Sequence, residues 1–421
     1  MFPHSSFKYK YSKQYSLKKS LLLIVKRLIK KGRLNLVLPD GTTTTYLGKE
    51  KGISANFFLK DWQVFERILT HADIGFGEDY IKGNWETDDL LRFMRFAVEN
   101  QNALQNSING NFFYRTFFAL RQKLRTNSLE GSKKNIHDHY DLGNSFFRLW
   151  LDEGMTYSGA LFQENPATSL KEAQRAKYQR ILNRLSPSSN DHILEIGCGW
   201  GGFIEIAAET GCKVTGVTIS KEQADYTTER LKKSEYGQNI DIHLQDYRTL
   251  EGQYDHIVSI GMFEHVGSAF WRDYMQTLAR CLKPDGKIML QSIIIREDLF
   301  DAYYHSSDFI REYIFPGGML PSLSKFEEEA NAAHLLVKEK FCFGRDYAIT
   351  LEKWLENFDA KHKQIRALGF DEAFIRKWRF YLALCSALFS VGRINVMQAE
   401  LYKNNSLNNI ALPHTECICL Q

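Results

Sequence analysis

The run "HILEIGCGWGGFIEIAAE", residues 192–209, reads as a strand, a glycine loop and a helix. Gly197, Gly199 and Gly202 satisfy G-x-G-x-x-G, a spacing that first suggests a dinucleotide. Such a site needs an acid about 20 residues further on, at the end of the second strand, to bind a ribose hydroxyl. The next strand, "CKVTGVTIS", ends instead on Thr218 and Ser220. The missing acid counts against a nicotinamide dinucleotide. Two features ask for a different ligand: Glu195 inside the first strand, and a second spacing formed by Gly197, Gly199 and Gly201. Glycines placed this way let the chain pass close to a bound molecule where a side chain would collide. Metal chemistry is not expected. The seven cysteines (198, 212, 281, 342, 385, 417 and 419) show no zinc spacing. Their odd number, without a secretion signal, is read as reduced thiols in a cytosolic protein.

The elements that must position this loop follow from the apolar patterning. Strands are expected at 192–197, 213–219, 240–244, 255–261 and 286–295, and helices at 201–210, 221–235 and 270–282. Strand–helix alternation means a parallel sheet covered on both faces, an α/β fold. A helix at 169–185 leads into it and stops at "SPSSN". Residues 300–325 read as irregular and aromatic, and 351–403 as helix. Upstream, "RLNLVLPDGTTTTYLG" (33–48) reads as a hairpin turning at Asp40–Gly41. Residues 60–128 read as mostly helical, with loops at "IGFGED" and "IKGNW", and hold no cluster of catalytic groups. Two domains are expected, 1–128 and 129–421, as the length of 421 residues suggests.

Charge is unevenly placed. Residues 1–39 carry ten Lys/Arg and no acid, whereas 40–421 carry 44 basic and 50 acidic residues, a net of −6. In "SLKKSLLLIVKRLIKKG", Leu17, Leu21, Ile24, Leu28 and Ile29 fall at helical spacing between cations, so a basic amphipathic helix ending at Gly32 is expected. Such a helix either lies on anionic lipid or docks on its own domain with its lysines in water. The apolar run "LLLIV" is too short to span a membrane.

Longer motifs narrow the reading. The G-x-G-x-G loop resembles motif I of the S-adenosylmethionine (SAM) methyltransferases. "HYDLGNSFFRLWLDEGMTYSGALF", "LEIGCGWGG", "GVTISKEQ", "LQDYR", "IVSIGMFEHVG" and "YIFPGGMLPS" follow one another in one order. Together with "FGRDYAITLEKW" and "RFYLALCSALF" they resemble the cyclopropane fatty acid synthases, including the mycolic acid cyclopropane synthases, over roughly 135–400. The resemblance implies a Rossmann-like class I SAM methyltransferase domain behind a smaller, mainly helical (α+β) lipid-associating domain. It implies methyl transfer from SAM to the double bond of an unsaturated acyl chain, usually in a membrane phospholipid, giving a cyclopropane through a carbocation. A cytoplasmic protein held peripherally at the inner face of the membrane follows, with no nucleic-acid partner and a homodimer left open.

Carried over residue by residue, the resemblance maps SAM contacts to Tyr157, Ser158, the loop from Ile193 through Glu195, Gly197, Cys198 and Gly199 to Gly201, then Thr218, Ser220, Gln223, Tyr247 and Arg248. A cluster holding a bicarbonate base maps to Gly159, Glu264, Gln291, Ile293 (through its backbone) and Tyr347. Cys385, in an apolar helix, matches a cysteine proposed as a nucleophile, although a buried thiol without a base is usually inert. The aromatic stretch "AYYHSSDFIREYIFPGGM" is the expected wall of a dry acyl tunnel, most of its rings serving only as core. Two residues depart from the commonest pattern, which has cysteine at Gly159 and histidine at Gln291. Glycine adds no side-chain group, and glutamine cannot carry a proton at neutral pH. The departures keep two rivals open: a methylene- or methyl-branched product from the same substrates, and an inactive lipid-binding homologue.

Overall fold

The structure, a computed structural model, describes the backbone of residues 22–108 and 142–404, and the side chains of all of these but 102–108. The chain forms two compact units. One holds the residues up to 117 together with 370–391, and the other holds 118–369 and everything from 392 onward. The expected boundary at 128/129 lies outside the described residues. Within the expected second domain, however, the helix Glu372–Ser390 belongs with the first unit, where it packs on the helices Gln63–Ile81 and Leu90–Ile108.

In the first unit, Lys31–Val37 (β1) and Thr43–Leu47 (β2) form the expected antiparallel hairpin, with Gly41 at φ 84° in its turn. Glu50–Leu59 (β3) adds parallel to β1, and Trp85–Glu86 (β4) closes the order β2-β1-β3-β4. The N-terminal helix covers 22–28 among the described residues and ends before Gly32, which lies inside β1. Val25 and Ile29 are buried while Lys26, Arg27 and Lys30 face water, so this stretch docks on its own unit. The expected loop "IGFGED" is helical: it lies inside Gln63–Ile81, whose break comes earlier, at Ala72. Asp79 holds it there as a fully buried carboxylate paired with Arg67 at 2.6 Å and Asn84 at 2.7 Å. Arg379 donates to the Tyr80 hydroxyl at 3.1 Å and Arg376 pairs with Glu86 at 3.0 Å, fastening Glu372–Ser390 to the same sheet and helices.

The second unit is built on seven strands. His192–Ile196 (β5), Lys213–Thr218 (β6), Ile240–Leu244 (β7), Tyr254–Ile260 (β8) and Leu282–Ile295 (β9) run parallel, as alternation with helices requires. Leu335–Cys342 (β10) and Ile394–Lys403 (β11) complete the order β10-β11-β9-β8-β5-β6-β7, with β11 antiparallel to both neighbours. β11 corrects the helix expected through residue 403. Its segment "INVMQAELYK" is buried on both faces in the sheet's interior, so it lacks the alternation that marks a strand. Chain order reverses between β5 and β8, and ligands bind α/β sheets at the carboxyl end of such a switch point. The helix Leu170–Leu185 begins at a capping box between Ser169 and Glu172 and packs on the helix Gly202–Ala208 and on β9. Cys342 is disulfide-bonded, against the expectation of reduced thiols throughout; Cys198, Cys212, Cys281 and Cys385 are free and buried.

Candidate active site

The glycine loop leaves β5 with Gly197, Gly199 and Gly201 all at positive φ, between 53° and 82°. They serve different ends. A Cβ on Gly197 would lie 2.3 Å from Met262, and one on Gly201 2.6 Å from Thr227, so these two allow packing. A Cβ on Gly199 would meet nothing within 4 Å, which leaves open room beside the loop. The Gly197 and Cys198 amides donate to the Val217 carbonyl at 2.9 and 3.1 Å, tying the loop to β6. Burial pushes the Cys198 thiol well up, so its sulfur is inert. Inside β5, Ile193 is fully buried core and Glu195 is buried with Oε2 lacking a partner. Burial raises Glu195 and lowers the buried Lys177 beside it, moving both towards their neutral forms.

The other expected cofactor residues also stand at the carboxyl ends of strands. After β6, Thr218 donates to Gln223 Oε1 at 2.9 Å, and Ser220 caps the helix Lys221–Lys232 by accepting from the Gln223 amide at 3.3 Å. After β7, Arg248 makes a fork to Asp246 at 2.9 and 2.7 Å. Burial pushes the Tyr247 hydroxyl up to about 12, and its ring stacks edge-on against Tyr274. Asp246, which caps this turn, was not read from the sequence; its place in "LQDYR" after a strand was the available signal.

The loop "YSGA" is held from three sides. The Tyr157 ring sits among Phe147, Trp150 and Trp354 at 5.4–5.5 Å. Ala160 donates to Thr350 at 2.9 Å and Phe162 to Asp346 at 2.8 Å, both on the helix Gly344–Ala360. Arg230 donates to the Gly154 and Trp200 carbonyls, at 3.1 Å each, and so links this loop to the glycine loop. Ser158 accepts from Gln291 Nε2 at 2.8 Å, and its carbonyl accepts from Gln174 at 2.7 Å. Tyr347 lies directly on Gly159: a Cβ there would be 2.6–3.0 Å from three ring atoms.

Glu264 follows β8 in the turn Phe263–His265 and is 3 % exposed. Its Oε1 accepts from the Ile293 N–H at 3.1 Å and its Oε2 from the Ser292 hydroxyl at 3.0 Å. Burial pushes its carboxyl up to about 7, against these two hydrogen bonds. Its carbonyl accepts from Met319 at 2.8 Å, pinning the "FPGGM" loop, where a Cβ on Gly318 would come within 3.2 Å of the Phe315 carbonyl. Of the aromatic stretch 302–319, Phe315 stands 6.5 Å from Tyr157 and 4.8 Å from His265. Phe309 is buried core and Tyr304 and Tyr313 are exposed. Cys385 belongs to Glu372–Ser390 and hence to the first unit, which corrects its placement in the methyltransferase domain.

Three of the residues expected to contact SAM, Gly199, Glu195 and Ser158, have groups that fit it. There is open room beside a bare backbone, a buried carboxylate oxygen without a donor, and a serine whose O–H has no acceptor among the described residues. Three of the groups expected to hold bicarbonate are engaged within the protein in this arrangement. Ile293 N–H is spent on Glu264, Gln291 Nε2 donates to Ser158, and the Tyr347 ring fills the room beside Gly159.

Residues 127–399 match the family described as mycolic acid cyclopropane synthetase. The chain is 34% identical to tuberculostearic acid methyltransferase UfaA1 of Mycobacterium tuberculosis over 378 residues, 88% of each chain. It is 35% identical to the cyclopropane-fatty-acyl-phospholipid synthase of Escherichia coli over 345 residues, covering 82% of this chain and 87% of that one. Among solved structures it resembles the mycolic acid cyclopropane synthase CmaA1 complexed with SAH and CTAB. That likeness has a TM-score of 0.60 and 32% identity, over 64% of this chain and 98% of the other. With its seven-stranded sheet and open glycine loop at the switch point, the chain belongs to the mycolic acid cyclopropane synthetase family and is a SAM-dependent methyltransferase.

Proposed function

We propose that this methyltransferase acts on the double bond of an unsaturated fatty acyl chain in a membrane phospholipid and closes a cyclopropane ring. The observation that carries the reading is Glu264, a buried carboxylate at the carboxyl end of β8 whose proton affinity is raised to the neutral range. Bound SAM supplies an electrophilic methyl group, and its transfer to an alkene carbon leaves a cation on the neighbouring one. Glu264, when ionised, accepts a proton from the added methyl group, and the released C–H pair closes the ring. Ile293 N–H and Ser292 O–H hold the carboxylate in place for this. Tyr157, Phe315 and Tyr347 line the approach with rings, which exclude water and favour a cation by their faces. Ser158, Glu195, Gly199 and Gln223 take the cofactor. The first unit and the basic arm hold the protein at the cytoplasmic face of the membrane.

The name of the Escherichia coli relative supports the phospholipid substrate and the ring. A second reading, a methyl- or methylene-branched product, is favoured by Gly159 and Gln291 and by the name of the Mycobacterium tuberculosis relative. The products diverge if a hydride shifts before the proton is lost. Expression with an oleate-containing lipid pool tests both, with mass spectrometry for the added carbon and NMR for ring protons. We expect ring protons. A mass gain without them selects the branched product, and no mass gain with SAM bound returns the inactive lipid-binding reading.

A further inference from the structure

Gln291 and Gln398 face each other as directly paired residues of β9 and β11, and both are almost fully buried. Gln398 Nε2 donates to Gln291 Oε1 at 3.2 Å, and Gln291 Nε2 donates to Ser158 Oγ at 2.8 Å. Behind them, Arg180 Nη1 donates to Gln398 Oε1 at 2.8 Å. Arg180 is set by Glu339, which accepts from Nη2 at 2.7 Å, and by the Phe341 ring, 4.0 Å beneath its guanidinium. Arg180 and Gln174 lie on the same helix, Leu170–Leu185, and Gln174 holds the Ser158 carbonyl, so one helix grips both ends of the chain of bonds.

The direction of this chain is fixed by chemistry. A guanidinium has donors and no acceptor, so the end of Gln398 facing Arg180 must be its oxygen. Its NH2 must then face Gln291, which must present oxygen in return and aim its own NH2 at Ser158. Ser158 is left as an acceptor on that side. Its single O–H has no acceptor among the described residues and remains for a bound group.

We propose that Gln398, oriented by Arg180, is a positioning residue that locks the amide of Gln291 and so makes Ser158 an obligate hydrogen-bond donor to the carboxylate of the bound cofactor. This rests on the reading of Ser158 as a cofactor contact. It also gives the glutamine at 291 a role: a side chain that must accept from one neighbour and donate to the other need not carry a proton. A neutral imidazole could do the same, one ring nitrogen accepting from Gln398 and the other donating to Ser158.

The test reverses the chain without changing its shape. In Gln398→Glu the introduced carboxylate still accepts from Arg180 but can no longer donate. Gln291 must then flip and turn its oxygen to Ser158, which spends its O–H there. We expect Gln398→Glu to weaken binding of S-adenosylhomocysteine, measured by calorimetry, by about tenfold, the worth of one hydrogen bond to a charged group. Adding Gln291→His should restore affinity to within about threefold, because an imidazolium donates to both the introduced carboxylate and Ser158. Unchanged affinity in Gln398→Glu overturns the proposal, as does a loss that Gln291→His does not restore, since a merely damaged fold would not be repaired by that change. If the buried charge prevents folding, Gln398→Met breaks the chain without it. Weaker binding is then expected, and natural affinity overturns the proposal. Product analysis of the natural protein separates this from the proposed function. A missing cyclopropane with the expected affinities sinks only the product, and a cyclopropane with unmoved affinities sinks only the positioning role.

Discussion

Glu264 illustrates how a single residue acquires function from its surroundings. In sequence it is one of 50 acids. In the structure it is enclosed, accepts two hydrogen bonds and is shifted from 4.5 to about 7 by burial. We expect Glu264→Gln to lower product formation by about 10²-fold or more while leaving S-adenosylhomocysteine affinity unchanged. Mass spectrometry of the lipids and calorimetry check the two halves, and undiminished product would remove Glu264 as the base. The ionised form is the proton acceptor, so turnover should rise as the pH climbs through about 7 and then level off. Stability runs the other way. The folded state holds this proton more tightly than the unfolded chain, so the contribution is full below the unfolded value of 4.5 and is lost as pH rises through about 7. Melting curves from about pH 5 to about pH 8 should therefore show the natural protein losing stability relative to Glu264→Gln. Gly159 is explained by Tyr347. A side chain there meets the ring at 2.6–3.0 Å, so Gly159→Cys should not improve the enzyme. It should cost about 1–3 kcal/mol through overpacking, visible as a lower Tm, together with lost turnover. A gain in turnover at unchanged Tm would show that the ring yields freely.

At the scale of elements, the site depends on what holds its loops. The helix Gly344–Ala360 fixes "YSGA" through Thr350 and Asp346, neither of which carries chemistry. Thr350 is fully buried and accepts from the Ala160 N–H. Thr350→Val keeps the shape and strands that donor, at a cost of about 1–3 kcal/mol. Chemical denaturation should show this as a lower midpoint with an unchanged slope, and a midpoint within error of the natural protein would mean that the loop finds another acceptor. The parallel strands β5 to β9 were legible because short apolar runs alternate with amphipathic helices. β10 and β11 were not. One is a half-buried edge and the other is buried on both faces, so neither shows a period-two pattern. The consequence reached the site. With β11 unread, Gln398 had no address, although it sits opposite Gln291.

At the scale of the whole molecule, charge and contact topology matter most. The ten cations of residues 1–39 sit on a chain whose remainder is acidic. The described part of that region docks its apolar side on its own unit and leaves Lys26, Arg27 and Lys30 in water. We expect reversible binding to vesicles containing anionic phospholipid, weakening as salt is raised, because exposed charges are screened over about 10 Å at 0.1 M. Co-sedimentation that ignores both lipid charge and salt would rule this out. No helix among the described residues is long and apolar enough to cross a membrane. The first unit is discontinuous in sequence, since Glu372–Ser390 returns to it after the methyltransferase sheet is almost complete. Apolar periodicity marks that segment as a helix but not where it packs, so Cys385, a catalytic candidate through the family resemblance alone, could not be assigned to the first unit from the sequence.

Local signals determined the nucleotide-type loop, the parallel core of the sheet, the helix Leu170–Leu185 and the family resemblance, because each is written in residues close together in the chain. Four features depend on residues that meet only when the chain is folded. The Ile293 amide closes on Glu264 across 29 positions, and Gln291 on Ser158 across 133. Tyr347 fills the room beside Gly159, and Arg180 orients Gln398 across 218 positions. Such pairings are decided by strand register and helix packing, which bring together donors and acceptors whose spacing in the sequence carries no pattern. A carboxylate's proton affinity, a serine's donor direction and a glycine's necessity are properties of those enclosures, and the tertiary structure alone supplies them.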